Sequence, residues 1–180
     1  MWVWVLALAV FIQVVSCRSQ KGGSGSAKHK TSWLSRLFRK EKDPSKSAGF
    51  NKREVDKVIQ TARSYRGTPH RDGGVSRLGI DCSALIMLSF QGAGIKIPRT
   101  ARQQSEIGKS INKEELRPGD LVFFSDRKIG SGITHVGLVT EITTKGEIRF
   151  IHTSSRLGVT ENLLSTSYFT KTYAKAVRPF

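Results

Sequence analysis

One cysteine and two histidines are the residues of this sequence whose types and positions are best suited to chemistry. Cys82 opens the apolar segment CSALIMLSF directly after Asp81, and His135 and His152 lie in two segments of strand-like composition, THVGLVTEI and EIRFIHTSS. A thiol, an imidazole base and a polar group that orients the base are the minimum set for cysteine-dependent acyl transfer. The chain has only two cysteines and four histidines, so these three residues form a selective candidate site.

Cys82 is predicted to lie at the start of a central helix. A glycine-rich loop precedes it, and the following SALIMLSF is apolar on almost all sides without strict alternation. Asp81 is a good N-cap residue, which places Cys82 in the first turn, where unpaired amide N–H groups and the helix dipole favour a thiolate. The alternative for an isolated cysteine is a small buried hydrophobic side chain.

Further elements are predicted on both sides of this helix. Asn51 and Glu54 have the spacing of a reciprocal N-cap, and a helical stripe of apolar residues follows them: Val55, Val58, Ile59 and Ala62. The turn in LRPGDLVFF predicts a strand near residue 120, and the segments 134–142 and 147–153 predict a hairpin. That hairpin can bring the two histidines onto neighbouring strands. Taken singly, each histidine is better explained as a hydrogen-bonded polar residue of a strand.

The N-terminus has the pattern of an export signal. Residues 2–12, WVWVLALAVFI, form an uncharged apolar run that is short for a membrane span and typical of a signal-peptide core. The following tetrad VVSC resembles a bacterial lipobox, which implies a signal peptide over residues 1–16 and lipidation of Cys17 as the mature N-terminus. Because the first residues lack the usual Lys or Arg, an uncleaved anchor and a mis-assigned start codon are the alternatives.

Residues 17–48 are predicted to form a basic, flexible tether. They contribute +7 of the formal charge of +16, and +9 belongs to residues 49–180, so the tether is expected to adhere to an anionic surface. Its apolar residues have the spacing of a short interfacial helix, and a disordered linker is the alternative: Trp33, Leu34, Leu37 and Phe38. Nucleic-acid binding is not expected, because the chain has an export signal and no recognisable nucleic-acid module.

Five linked motifs resemble a known family. The runs GIDCSALI, IPRTARQQSEIG, LRPGDLVFF, THVGLV and FIHTSSRLGV, in this order, resemble the NlpC/P60 cell-wall peptidases over about residues 52–180. The resemblance implies a papain-like α+β domain, assigned to residues 49–180. In that fold a helix that carries the cysteine packs on an antiparallel sheet that carries the histidines.

The resemblance also implies a role for each candidate. Cys82 is the expected nucleophile, His135 the base, and His152 the polar residue that orients the base. Ala84 replaces a usual glycine, a small change that should be tolerated. His70 replaces a tyrosine that commonly lies near the thiol and the substrate, so His70 is expected to contact a substrate carbonyl or only to line the groove.

The chemistry of amide hydrolysis adds further expectations. A thiolate on Cys82 is expected beside an imidazolium on His135, and the amide of Cys82 or Ser83 is expected to hold the oxyanion. Arg99 and Arg102 are candidates to bind substrate carboxylates, with solvated surface charge as the alternative. Neither a metal nor an organic cofactor is required.

The implied activity is hydrolysis of peptidoglycan stem peptides, at the bond between D-glutamate and a diamino acid, through a thioester. The implied protein is a monomer of the cell envelope, held by lipid on the periplasmic face of the outer membrane. A catalytically silent wall-binding module and a papain-like amidase or acyltransferase are the alternatives. A disulfide between Cys17 and Cys82 would consume both proposed functions and is not expected.

Overall fold

The computed structural model describes residues 51–126 and 132–179 of the chain. The predicted signal peptide (1–16) and tether (17–48), including Cys17, lie outside the described residues. Within the described ranges, no helix is both long enough and apolar enough to cross a membrane. The elements in chain order are α1 (Lys52–Arg63), β1 (Val75–Ser76), β2 (Gly79–Ile80), α2 (Cys82–Gly92), α3 (Ala101–Gln104), β3 (Lys109–Ile111), a 3-10 turn (Lys113–Glu115), β4 (Leu121–Phe124), β5 (His135–Ile142), β6 (Ile148–Ser154), β7 (Gly158–Leu163), α4 (Ser167–Thr172) and β8 (Tyr173–Arg178).

Helix α1 begins with the reciprocal cap that the sequence predicts. The Asn51 side chain accepts a hydrogen bond from the Glu54 amide at 3.0 Å, and the Glu54 carboxylate accepts one from the Asn51 amide at 3.2 Å. These two bonds satisfy amide groups that have no partner inside the helix. Val58, Ile59 and Ala62 are buried, so the predicted apolar stripe is confirmed.

Helix α2 is the predicted central helix, and its start is fixed by Asp81. The Asp81 carboxylate accepts a hydrogen bond from the Ala84 amide at 2.8 Å, and the Asp81 carbonyl accepts the first helical bond from the Leu85 amide at 3.0 Å. The helix packs on α1 and against β5 and β6. Its buried residues come from several faces: Ser83, Ala84, Leu85, Ile86, Ser89 and Phe90. Cys82 is therefore held at the N-terminus of a helix that the core fixes in place.

Strands β3 to β8 form one antiparallel sheet in the order β3-β8-β4-β5-β6-β7, and β1 and β2 form a separate pair. The predicted hairpin is confirmed as the β5–β6 pair, with Gly146 at a φ of +76° in the connecting turn. The predicted strand near residue 120 is β4. The C-terminal strand β8 lies between β3 and β4, a long-range pairing that the sequence analysis did not predict.

The sheet separates two apolar clusters. The cluster on the helix side includes Ile80, Leu85, Phe90, Leu121, Phe123, Val136, Leu138 and Ile151. The cluster on the opposite side includes Val122, Phe124, Val139, Phe150, Leu164 and Phe169. Because side chains alternate along a strand, His135 points to the face opposite Val136. Helix α2 packs on the Val136 side of the sheet, and the His152 ring packs against Phe150 and Phe169 on the other side.

Candidate active site

The Cys82 thiol lies where helix α2 meets the beginning of strand β5. It is a free thiol, partly buried against the helix-side cluster. The backbone amide of Val136 lies close enough to the thiol to lower its pKa, and so do the amides of Ser83 and of Cys82 itself. Since Val136 directly follows His135, the structure brings the predicted nucleophile to the strand end that carries the predicted base.

Burial controls the protonation of both groups. It raises the pKa of the Cys82 thiol to about 11, with a smaller rise from the Asp81 carboxylate, while the surrounding amide N–H groups oppose the shift. Burial, together with smaller effects of the neighbouring His152 and His70, lowers the pKa of His135 to about 3. Burial therefore favours a resting state with a neutral thiol and a neutral imidazole, because desolvation disfavours both charges.

This resting state differs from the expected ion pair. The helix terminus does favour the thiolate, as predicted, but its amides do not outweigh the loss of water around the sulfur. Burial in the described structure therefore favours a neutral thiol over a thiolate formed in advance.

His135 and His152 form the contact that the sequence analysis expected. His135 Nε2 lies 2.9 Å from His152 Nδ1, with the two rings nearly perpendicular at 88°. His152 is only 4% exposed, and its Nε2 lies 2.9 Å from the amide oxygen Oδ1 of Asn162 on β7. Sequence reasoning missed Asn162, because its segment GVTENLL contains no pattern that marks an asparagine as special.

Three phenylalanines enclose the imidazole pair. The Phe150 ring stacks on His152 at 5.1 Å between centroids, and the Phe169 ring meets His152 edge-on at the same distance. Phe124 lies 5.9 Å from the His135 ring. These side chains replace water around the imidazoles, which explains the lowered pKa of His152 as well as that of His135.

Gly137 creates the space for this enclosure. A Cβ atom at Gly137 would lie 2.4 Å from the Phe150 ring and 3.1 Å from the Ile151 carbonyl oxygen. Any larger residue would therefore displace the Phe150 ring, which stacks on His152. The glycine in THVGLV is therefore required for the close approach of a ring from the neighbouring strand.

Asp81, Ser83 and Arg99 form a polar clamp at the start of α2, here called the Asp81 clamp. Arg99 donates to both carboxylate oxygens of Asp81 and to Ser83 Oγ at 2.9 Å, and Ser83 Oγ donates to Asp81 Oδ1 at 2.9 Å. Burial alone would raise the pKa of Asp81. The hydrogen bonds from Arg99 and from the Ala84 amide together outweigh burial, so the pKa of Asp81 is lowered.

The clamp changes the interpretation of two predicted substrate-binding residues. The Arg99 guanidinium already holds a carboxylate, that of Asp81, and the Ser83 hydroxyl is bonded within the same group. Both side chains thus position the start of helix α2 in the described structure, and binding of a substrate carboxylate by Arg99 stays a prediction. Arg102 is exposed, as its alternative interpretation expected.

Gln104 is a second positioning residue that sequence reasoning did not single out. Its Nε2 donates to the Ser83 carbonyl at 2.9 Å and to the Pro98 carbonyl at 2.8 Å, and its side chain is fully buried. The amide therefore ties the segment after α2 to the first turn of α2. Gln104 lies in the family motif IPRTARQQ together with Arg99, and this shared motif is the sequence feature that could have marked it.

His70 lies beside the imidazole pair but outside its hydrogen-bonded chain. Its backbone forms an isolated bridge to Ile80, its side chain is 25% exposed, and its Nε2 lies 3.5 Å from an Asp72 carboxylate oxygen. It is close enough to lower the pKa of His135. The structure thus places His70 at the margin of the site, where a bound substrate could reach it.

A cavity of about 340 Å³ lies elsewhere, lined by Val55, Phe90, Pro118 and Arg178 among others. None of its lining residues belongs to the chain of thiol, imidazoles and amide described above. The candidate site is therefore identified by the chemistry of the residues around Cys82 and not by this cavity.

A sequence model of the NlpC/P60 family matches residues 67–178, a range that contains Cys82, both histidines and the Asp81 clamp. The chain belongs to the NlpC/P60 family. The predicted papain-like α+β fold is confirmed by solved structures of that family. One of them, a lipoprotein-like NlpC/P60 protein from Staphylococcus aureus, has a TM-score of 0.64 and 31% identity over 77% of this chain and 45% of that chain.

Two relatives from Escherichia coli K12 have descriptive names. The probable endopeptidase NlpC is 40% identical over 119 residues, which are 64% of this chain and 72% of that protein. The murein DD-endopeptidase MepS/murein LD-carboxypeptidase is 34% identical over 130 residues, which are 70% of this chain and 65% of that protein. The matched region thus covers just under two thirds of MepS and under half of the Staphylococcus aureus protein.

Proposed function

We propose that this protein is a cysteine peptidase that hydrolyses amide bonds in the stem peptides of peptidoglycan. The observation that carries the proposal is the Cys82 thiol close to the Val136 amide, at the strand end where His135 begins a hydrogen-bonded chain to His152. The names of the relatives NlpC and MepS support an endopeptidase that acts on murein.

The neutral resting state defines the order of proton transfers. His135 takes the proton of Cys82 as the sulfur attacks the scissile carbonyl carbon, and the tetrahedral intermediate forms. The imidazolium then gives that proton to the departing amine, which leaves a thioester on Cys82. His135 next removes a proton from water, the hydroxide attacks the thioester, and the carboxylic acid leaves as the thiol recovers its proton.

The first turn of α2 supplies stabilisation of the oxyanion. The amides of Cys82 and Ser83 precede the first helical hydrogen bond, whereas the Ala84 amide is already bonded to Asp81. Amide donors in a buried position stabilise a developing oxyanion more than they would in water. Stabilisation of that charge compensates for the burial that raises the pKa of the thiol.

The substrate bond follows from the family resemblance, which implies the link between D-glutamate and a diamino acid. The name of MepS offers a second candidate, the DD cross-link between stem peptides. His70, at the margin of the site, is the residue that we assign to contact a substrate carbonyl. The positive charge of residues 49–180 suits an anionic wall polymer.

The experiment that tests this function is digestion of purified sacculi by the purified protein, followed by mass analysis of the released muropeptides. New termini at D-glutamate would support the proposed bond, and loss of cross-links alone would support the DD bond. The Cys82→Ser variant, which keeps a similar shape, should release nothing while still sedimenting with sacculi. A wild-type protein that binds sacculi without releasing any fragment would instead identify a wall-binding module.

We also propose that the protein is anchored in the cell envelope by lipid on Cys17 and faces the periplasm from the outer membrane. The apolar run at residues 2–12 and the VVSC tetrad support this location. Cys17→Ser should keep activity in solution and release the protein from membranes. Continued membrane association of that variant would identify the apolar segment itself as the anchor.

A further inference from the structure

We propose that Asn162 is a positioning residue that selects the tautomers of both histidines and thereby makes His135 a base. The inference rests on the proposed function for its effect on turnover, but the tautomers themselves can be measured without any substrate. Asn162 Oδ1 lies 2.9 Å from His152 Nε2, and His152 Nδ1 lies 2.9 Å from His135 Nε2.

The base must have a free lone pair toward the thiol. His135 Nε2 is engaged with His152, so Nδ1 is the only ring nitrogen of His135 left to accept the proton of Cys82. A neutral imidazole carries one hydrogen, on either Nδ1 or Nε2. His135 can therefore act as base only when its hydrogen is on Nε2 and is donated to His152 Nδ1.

The required tautomer of His135 also determines which hydrogen bond Asn162 must make. If His152 Nδ1 accepts, the hydrogen of neutral His152 must be on Nε2, and that N–H needs an acceptor because His152 is buried. The Asn162 amide oxygen supplies the acceptor. Without that acceptor, neutral His152 can instead carry its hydrogen on Nδ1 and donate it to His135 Nε2. The hydrogen of His135 is then on Nδ1, the nitrogen that faces the nucleophile.

The sheet holds Asn162 in register for this contact. On the β6–β7 pair, Asn162 lies opposite Phe150, and His152 lies opposite Thr160. Asn162 and His152 are thus diagonal neighbours on the same face, a spacing across which side chains of adjacent strands can meet. Because Phe150 stacks on His152, the imidazole cannot easily turn away from the Asn162 amide.

The test compares Asn162→Leu, which removes the acceptor, with Asn162→Asp, which keeps one. Full-length protein with ¹⁵N-labelled histidine would report the tautomer of each ring through its nitrogen chemical shifts. In the wild type both rings should carry hydrogen on Nε2. In Asn162→Leu the Nδ1–H forms should become populated, and Asn162→Asp should restore the wild-type pattern.

Turnover of muropeptides provides the second measurement. Loss of one hydrogen bond corresponds to roughly a tenfold change in an equilibrium, so kcat should fall on the order of tenfold in Asn162→Leu. KM should change by less than about twofold, since Asn162 does not touch the substrate. Thr160→Val, a change at the residue opposite His152, controls for general damage to β7 and should leave both the spectra and kcat unchanged.

The outcomes separate this inference from the proposed function. A wild-type spectrum with hydrogen on Nδ1 of either ring, or tautomers that stay the same in Asn162→Leu, would overturn the assignment of Asn162. A wild type with the expected tautomers but no turnover would overturn the proposed peptidase activity and leave the positioning role intact. If Asn162→Leu does not fold, Asn162→Ala makes the same comparison with a smaller side chain.

Discussion

Replacing Arg99 by glutamine should slow the alkylation of Cys82, because Arg99 neutralises the Asp81 carboxylate next to the thiol. Arg99 donates to both oxygens of Asp81 and to the Ser83 hydroxyl, and the Asp81 side chain is only 14% exposed. In Arg99→Gln that carboxylate would keep its charge and lose its main partner. A negative charge beside the sulfur disfavours the thiolate, so less of the reactive form would be present.

The expected magnitude follows from the geometry of the clamp. The Asp81 carboxylate without its partner and a thiolate on Cys82, taken as about 6 Å apart, repel each other by about 3 kcal/mol at an effective dielectric constant of about 20. This energy corresponds to about two pKa units. The Arg99 side chain is 35% exposed, and solvent reduces the effect. After that discount, we expect a rise of about one unit in the Cys82 pKa and a tenfold slower alkylation. Loss of the clamp should also lower the free energy of unfolding by about 1–3 kcal/mol.

Iodoacetamide alkylation at pH 8, followed by intact mass, measures the first effect, and urea denaturation measures the second. Arg102→Gln, a change at an exposed arginine of α3, is the matched control and should leave both values unchanged. The double variant Asp81→Asn/Arg99→Gln removes both charges and keeps a residue that caps helices well, so its alkylation rate should return toward the wild type. An unchanged rate in Arg99→Gln, or no recovery in the double variant, would refute this electrostatic role.

Three further predictions concern the imidazoles and their surroundings. Gly137→Ala should lower the free energy of unfolding by about 1–3 kcal/mol, because the added methyl group meets the Phe150 ring; an unchanged urea midpoint would contradict this packing. Burial lowers the pKa of His135 and His152, so the unfolded chain takes up protons first as the pH falls. Stability should therefore be full above about pH 6.5 and fall below it, for His135 by up to about 1.4 kcal/mol per pH unit down to about pH 3. His152 should add a loss of the same sign, and the total loss should be smaller in a His135→Gln variant. His70→Tyr should change the pH dependence of turnover below neutrality, and an identical profile would remove His70 from the site.

The local sequence determined the elements that position the nucleophile. The Asn51–Glu54 cap, the Asp81 cap and the β5–β6 hairpin were all predictable, because each depends on hydrogen bonds or side-chain periodicity within a few residues. The motifs around Cys82, His135 and His152 were sufficient to indicate the family, whose fold then implied that these residues come together.

Only the tertiary structure decided how the site is tuned. Three contacts of the site join segments that are separated in the sequence. They are the bond between Asn162 and His152, the ion pair between Arg99 and Asp81, and the packing of the Phe150 ring over Gly137. The neutral state of Cys82 and His135 has the same origin, since it depends on how much water the assembled core removes from each group. Local patterns encode which turn or helix a residue begins, whereas partners across a sheet and the degree of desolvation are fixed only when distant strands pack.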